Sequence, residues 1–98
     1  MTKLSENLPI EEARERLRQL IIELAVVRGH VVLASGKEAD YYVDLRRITL
    51  HHEASRLVGQ VMLDLLDKNG IEFEAAGGLT MGADPVGTAI MRAAGDQD

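Results

Sequence analysis

The sequence predicts an incomplete α/β fold, in which an N-terminal helix and a β-hairpin precede the first part of a doubly wound parallel sheet. Three observations support this class. Apolar residues recur every three or four positions over residues 8–29, as on one face of a helix. Two β-prone runs then flank a Ser-Gly turn within residues 31–47. Finally, residues 51–98 read as helix, strand, glycine-rich turn and helix, which is the opening of a doubly wound fold.

The first helix is predicted over residues 8–29. Pro9 suits the first turn, and Glu11 and Glu12 place negative charge near the positive helix end. Gly29 is a typical residue for ending a helix. One apolar stripe follows from the spacing, and its members are Ile10, Ala13, Leu17, Leu20, Ile21, Leu24 and Val27.

The hairpin is predicted over residues 31–47, with strands at residues 31–33 and 41–45. Successive strand residues point to opposite faces, so Tyr41, Val43 and Leu45 share one face and Tyr42 the other. We expect Tyr41 to be a packing aromatic. For Tyr42 two interpretations remain open: a packing residue, or a flat surface for a planar ligand.

The third part begins with a helix predicted from about His51–Glu53 to residue 69 and ended by Gly70. Gly59 lies on the flank of its apolar stripe, where we expect a closely packed neighbouring element. Residues 71–76 are predicted as a strand. Asp84 is expected to be the N-cap of the last helix and Pro85 its first residue. A parallel strand needs neighbours, so we expect the sheet to be completed by another molecule or, preferably, by the rest of a longer protein.

Composition limits the function classes. At 98 residues the chain is at most one domain, and its net charge of −5 argues against nucleic acid as a partner. It has no cysteine and no apolar run of the roughly 20 residues that cross a membrane. Residues 1–7 lack an apolar signal-peptide core and are expected to form a mobile tail. These features suit a cytoplasmic protein without membrane partners.

Few residues are candidates for chemistry. The loop of residues 77–85 (GGLTMGADP) can offer backbone N–H groups to an anion, or can be a tight turn capped by Asp84. Arg46 and Arg47 can hold a phosphate, although such pairs more often form salt bridges. His51 and His52 are interpreted as a polar helix start. No Ser-His-Asp arrangement and no metal motif is recognisable.

With these residues in place, the sequence from about residue 20 to residue 94 resembles the N-terminal half of orotate phosphoribosyltransferase, a type I phosphoribosyltransferase. The strongest segments are residues 33–44 (LASGKEADYYVD) and residues 77–85. In that family the first segment belongs to a hood over the active site. The second is the loop after the first core strand, near the diphosphate of phosphoribosyl diphosphate.

The resemblance implies a magnesium-dependent transfer of ribose 5-phosphate to orotate, giving orotidine 5′-phosphate and diphosphate in pyrimidine biosynthesis. It also implies a homodimer. By position, Tyr42 and Val43 would line the orotate site, and Met81 and Gly82 would lie beside the diphosphate. No catalytic residue and no metal ligand is carried over.

The sequence departs from the family at Ala34 and at Met81-Gly82, where many members have cationic contacts to the diphosphate. Neither the family's Lys/Arg-rich mobile loop nor its acidic Thr/Gly-rich motif occurs in the 98 residues. We therefore expect a truncated piece that has no appreciable activity alone. The alternatives are a non-catalytic dimerisation or regulatory module derived from this fold, and a generic phosphate-binding α/β domain.

Overall fold

The computed structural model describes residues 8–97, so the predicted mobile tail of residues 1–7 lies outside the described residues. No helix within that range is long and apolar enough to cross a membrane. The described elements, in chain order, are helix α1 (Ile10–Leu20), a π-helical turn (Ile21–Ala25), strands β1 (Val26–Val32) and β2 (Glu38–Val43), and helices α2 (Arg46–Thr49), α3 (Ala54–Lys68) and α4 (Asp84–Asp96).

The predicted end of the first helix at residue 29 is wrong, because helical structure stops at Ala25. Val26 and Val27 instead pair with Val43 and Tyr42 in the hairpin. These two valines are β-branched, so strand pairing suits them better than one more helical turn. Gly29 therefore does not end a helix. It lies in the strand with a φ of 126°.

β1 and β2 form an antiparallel two-stranded sheet. The register shifts between Arg28 and Val31, and this β-bulge explains the positive φ of Gly29. At the tip, Gly36 donates its N–H to Leu33 O and has a φ of 85°. Leu33 in turn donates to Lys37 O at 2.8 Å, which closes a tight three-residue hairpin loop of the kind that favours glycine at its last position.

The core lies between α1 and α3, and the short helix α2 packs against it through Ile48. Ion pairing adds to this contact, because Arg16 of α1 donates two hydrogen bonds, at 2.8 and 3.0 Å, to the Glu53 carboxylate just before α3. Two-pronged binding by arginine holds the two groups in one orientation. The buried apolar residues of this cluster are Ala13, Leu20, Ala25, Ile48, Ala54 and Leu57.

The second predicted helix is confirmed as α3, within a few residues at each end. At its C-terminus Gly70 has a φ of 68° and donates to Asp67 O, while Ile71 donates to Leu66 O at 3.0 Å. These two bonds form a Schellman motif, which is the usual way for a glycine to end a helix.

The predicted strand at residues 71–76 is not formed among the described residues, whose only sheet is the hairpin. A strand is defined by hydrogen bonds to a neighbour, and none is present beside this segment. Its far end is nevertheless fixed in place. A Cβ on Gly87 of α4 would lie 2.8 Å from Gly77 Cα and 3.1 Å from the Ala76 carbonyl carbon, so the helix backbone packs directly on this segment.

Helices α3 and α4 also approach closely, as predicted for Gly59. A Cβ built on Gly59 would lie 2.7 Å from the carbonyl carbon of Ala89 and closer still to its oxygen. Only glycine allows this approach, because ordinary van der Waals contact needs 3.4 Å or more. The two helices and the segment between them therefore form one packed unit.

Candidate functional site

The hairpin presents the two adjacent tyrosines on opposite faces. Tyr42 is 36% exposed and Tyr41 is 57% exposed, so the expectation that Tyr41 packs in the core is wrong. The hairpin has only two strands, and no element of residues 8–97 covers the face that carries Tyr41. Val43 is also exposed. Both predicted orotate-site residues are thus accessible at the end of β2, and their role stays a prediction.

Asp44 joins the hairpin to the helical layer. Its backbone N–H donates to Ala25 O at 2.8 Å, and its carboxylate accepts from the N–H and the Nε of Arg46. Arg47 lies 3.7 Å from the same carboxylate and donates to Leu24 O. The hydrogen bond from Arg46 lowers the pKa of Asp44 below its ordinary value. Both arginines are therefore engaged in ion pairs at the base of the hairpin.

The loop of residues 77–85 is closed by a hydrogen bond across it. Gly78 donates its N–H to Asp84 Oδ1 at 3.0 Å. Asp84 is the first residue of α4, and the N-cap position is held by Ala83 without a side-chain bond, so the prediction of Asp84 as N-cap is wrong. Its carboxylate still occupies one of the loop's backbone donors. This removes that donor from any anion the loop could hold.

Met81 is the apex of the same loop. Its φ of 67° lies in the left-handed region, which is uncommon for a residue with a side chain. The Met81 side chain is 77% exposed and that of Leu79 is 87% exposed. Gly82 donates to Thr80 O at 2.7 Å, whereas the Met81 amide has no partner among residues 8–97. The amides of Gly77, Leu79 and Thr80 are likewise without a partner within that range, so the loop offers several free backbone donors beside an exposed thioether.

The histidines start a helix, as predicted. Nδ1 of His51 accepts hydrogen bonds from the backbone N–H of Glu53 at 3.2 Å and of Ala54 at 3.1 Å, so this imidazole caps the N-terminus of α3. His52 stacks near it, with ring centroids 4.4 Å apart. Within the described part of the chain, no group of three or more His, Asp or Glu residues can hold a metal ion.

The structure does not join the two predicted halves of the site. No hydrogen bond or ion pair among residues 8–97 connects the hairpin with the loop of residues 77–85. The anchoring role of Asp44 was not predicted from the sequence. The spacing could have indicated it. Arginines stand two and three positions after Asp44, and a carboxylate can pair with both at that spacing.

Comparisons with known proteins identify the fold. No protein-family model matches the chain. An orotate phosphoribosyltransferase of Corynebacterium glutamicum is 55% identical over 92 residues, covering 94% of this chain and 49% of that protein. The crystal structure of the Mycobacterium tuberculosis enzyme with inorganic phosphate superimposes with a TM-score of 0.72 at 54% identity, over 84% of this chain and 48% of that one.

A second structure of the M. tuberculosis enzyme, in complex with 5-phospho-α-D-ribosyl 1-diphosphate, gives a TM-score of 0.67 at 51% identity, over 83% of this chain and 46% of that one. The chain thus spans about half the length of the curated relatives it matches. A non-catalytic module is not favoured, because these relatives are named as enzymes. Over nearly its whole length, therefore, this chain is related to half of an orotate phosphoribosyltransferase and has part of the type I phosphoribosyltransferase fold.

Proposed function

We propose that this chain supplies the N-terminal part of an orotate phosphoribosyltransferase. The reaction joins the ribose 5-phosphate of phosphoribosyl diphosphate to N1 of orotate, releases diphosphate and gives orotidine 5′-phosphate for pyrimidine biosynthesis. One observation carries the proposal: 55% identity to a protein of that name over 94% of this chain, with both characteristic segments inside the match.

Tyr42 and Val43 form the orotate side of the proposed site. A tyrosine ring presents a flat apolar surface, and stacked aromatic pairs contribute about 0.5–1.5 kcal/mol beyond the area they bury. Tyr42 is partly covered and lies opposite Val27 in the register of the hairpin, which restricts the position of its backbone. The ion pairs of Asp44 with Arg46 and Arg47 then fix the chain just after β2. Tyr42 is thus carried on a strand that is held by its pairing with β1 and by the ion pairs just after its C-terminal end.

Met81 and Gly82 form the diphosphate side. Where many family members have a cationic contact, this loop offers the unpartnered amides of Leu79, Thr80 and Met81, and Gly82 beside them has open space where a Cβ would stand. A diphosphate can approach a backbone without side chains more closely. The Asp84 carboxylate holds the Gly78 donor, so we place the anion on the Met81 side of the loop.

Mg²⁺ is expected to come with the substrate rather than to reside in these residues. No acidic or histidine cluster of residues 8–97 can hold a metal, and Mg²⁺ commonly binds through substrate phosphates and one or two carboxylates. When bound it would neutralise charge on the diphosphate. We further propose that the complete enzyme is a cytoplasmic homodimer, as in the family it resembles.

The test uses a hybrid enzyme, in which these residues replace the matching region of the M. tuberculosis protein. We expect orotate-dependent formation of orotidine 5′-phosphate by the hybrid and none by the 98-residue chain alone. In the hybrid, Tyr42→Ala should raise the KM for orotate about tenfold, as the loss of about 1.4 kcal/mol of binding would. Tyr41→Ala is the matched control and should leave that KM unchanged. Robust turnover by the 98-residue chain, or equal effects of both substitutions, would contradict the proposal.

A further inference from the structure

A groove of about 490 Å³ lies between α4 and the region where α2 leads into α3. It shares only Pro85 with the loop of residues 77–85, so it is a separate surface from the proposed diphosphate side. Its lining extends along α4 from Pro85 in the first turn to Asp96 in the last. Its lining residues are Thr49, His52, Ser55, Arg56, Pro85, Thr88, Ala89, Arg92, Ala93 and Asp96.

Two arginines in this groove have no acidic partner among residues 8–97. The acid nearest in sequence to Arg56 is Glu53, one helical turn earlier, but Glu53 is already bound at both oxygens by Arg16. Asp96 is one turn beyond Arg92, yet the two form no ion pair within the described residues. The lining thus holds two guanidinium groups against one carboxylate, that of Asp96, and is net positive on a chain whose net charge is −5.

One residue of the lining, Thr49, has a buried side-chain hydroxyl without a hydrogen bond in the described part of the chain. Thr49 Oγ1 is the one buried side-chain polar atom within residues 8–97 that has no partner. Burying a polar atom without a partner is unfavourable, so this hydroxyl favours a hydrogen-bonding group nearby. Ser55 and Thr88 bring two more hydroxyls to the lining, and His52 brings an imidazole.

We propose that this groove binds the phosphate group of a small phosphorylated molecule. Guanidinium groups bind phosphate oxygens through paired N–H donors, and hydroxyl groups complete the set. A cavity of this size also exceeds a single phosphate and leaves room for the organic part of a metabolite. The site does not depend on transferase activity, because none of its residues except Pro85 belongs to the loop or the hairpin.

In the test, inorganic diphosphate is titrated into the 98-residue chain. Binding is measured by calorimetry and located by the changes in backbone amide NMR shifts. We expect shifts at residues 49–56 and 88–96. Arg56→Gln and Arg92→Gln should each weaken binding about tenfold or more, since each removes a charge-assisted donor pair. Arg14→Gln is the matched control, because Arg14 is an exposed helical arginine that also lacks an ion pair among residues 8–97, and it should leave affinity unchanged.

Three results would overturn the proposal. Shifts confined to residues 77–84 would assign the probe to the loop instead. Equal weakening by Arg14→Gln would show attraction to overall charge without a site. Shifts of the groove residues on dilution, without any probe, would show that a second copy of the chain fills the groove. Circular dichroism of each variant verifies that a lost affinity does not reflect lost folding.

Discussion

Gly59 is the residue on which the packing of α3 against α4 depends most directly. The perturbation is Gly59→Ala, which adds one methyl group at the closest point between the helices. That methyl would lie 2.7 Å from the carbonyl carbon of Ala89, about 0.7 Å inside ordinary van der Waals contact. The obstacle is backbone, which cannot rotate away as a side chain can, so the helices must separate.

Two opposing effects set the change in the free energy of unfolding caused by Gly59→Ala. Alanine is better than glycine inside a helix by about 1 kcal/mol. Overpacking of a closely packed contact costs about 1–3 kcal/mol, and a rigid backbone obstacle places Gly59→Ala near the upper end. The clash therefore exceeds the gain in propensity. We expect a net loss of about 2 kcal/mol, equivalent to a fall of about 10 °C in Tm for a domain of this size.

The assay is urea unfolding followed by far-ultraviolet circular dichroism, with the free energy of unfolding as the readout. Gly95→Ala in the last turn of α4 is the matched control, because nothing lies within 4 Å of its added methyl group. That variant should be unchanged or more stable by up to about 1 kcal/mol. The reasoning is refuted if Gly59→Ala is as stable as the original chain.

Three further predictions concern helix ends and one ion pair. Gly70→Ala should lower the free energy of unfolding by about 1 kcal/mol, since Gly70 has a φ of 68° in the Schellman motif. His51→Ala should cost a similar amount, about 1 kcal/mol, by removing the cap of α3, whereas His51→Asn should retain most of it. The pKa of Glu53 is lowered by its hydrogen bonds from Arg16, so the stability advantage over Glu53→Gln should be complete above pH 4.5 and shrink as the pH falls below it.

Each of these has a clear contrary outcome in the same unfolding assay. Gly70→Ala equal in stability to the original would show that the left-handed turn relaxes without strain. Equal losses in His51→Ala and His51→Asn would assign the effect to packing of the imidazole. A stability difference between Glu53→Gln and the original that stays constant from pH 7 to about pH 3 would show that Glu53 titrates alike in the folded and unfolded chain.

Local signals were sufficient to predict α3 and its stop at Gly70, although the same kind of signal failed at Gly29. The apolar spacing of α3 and the stop at Gly70 are both carried by neighbouring residues, and the structure places them as expected. The close approach at Gly59 was predicted for the same reason, because a glycine on the flank of an apolar stripe has no other evident use. These features require no knowledge of the rest of the fold.

The errors arise where a residue's structure depends on distant partners. Val26 and Val27 continue the helical spacing, yet pairing with β2 makes them strand. Residues 71–76 have strand-like composition, yet no neighbouring strand is present to bond with them. Tyr41 is exposed because the described chain has no layer over that side of the hairpin. Periodicity alone could not decide any of the three.

The candidate site was predicted from motifs and only partly from physics. The segments of residues 33–44 and 77–85 were recognised by resemblance, and the matches to known enzymes bear out that resemblance. The bond from Gly78 to Asp84 could not be predicted, since a carboxylate at a helix start can equally cap its own helix. The roles of Tyr42, Val43, Met81 and Gly82 stay predictions until substrate affinity is measured.

The most direct test of the central claim is the kcat/KM for orotate of the hybrid enzyme, compared with that of the intact M. tuberculosis enzyme. If these residues supply a working hood and diphosphate loop, the hybrid should reach a kcat/KM within about tenfold of the intact enzyme, equivalent to about 1.4 kcal/mol of transition-state stabilisation. A folded hybrid that binds phosphoribosyl diphosphate but forms no orotidine 5′-phosphate would contradict the account.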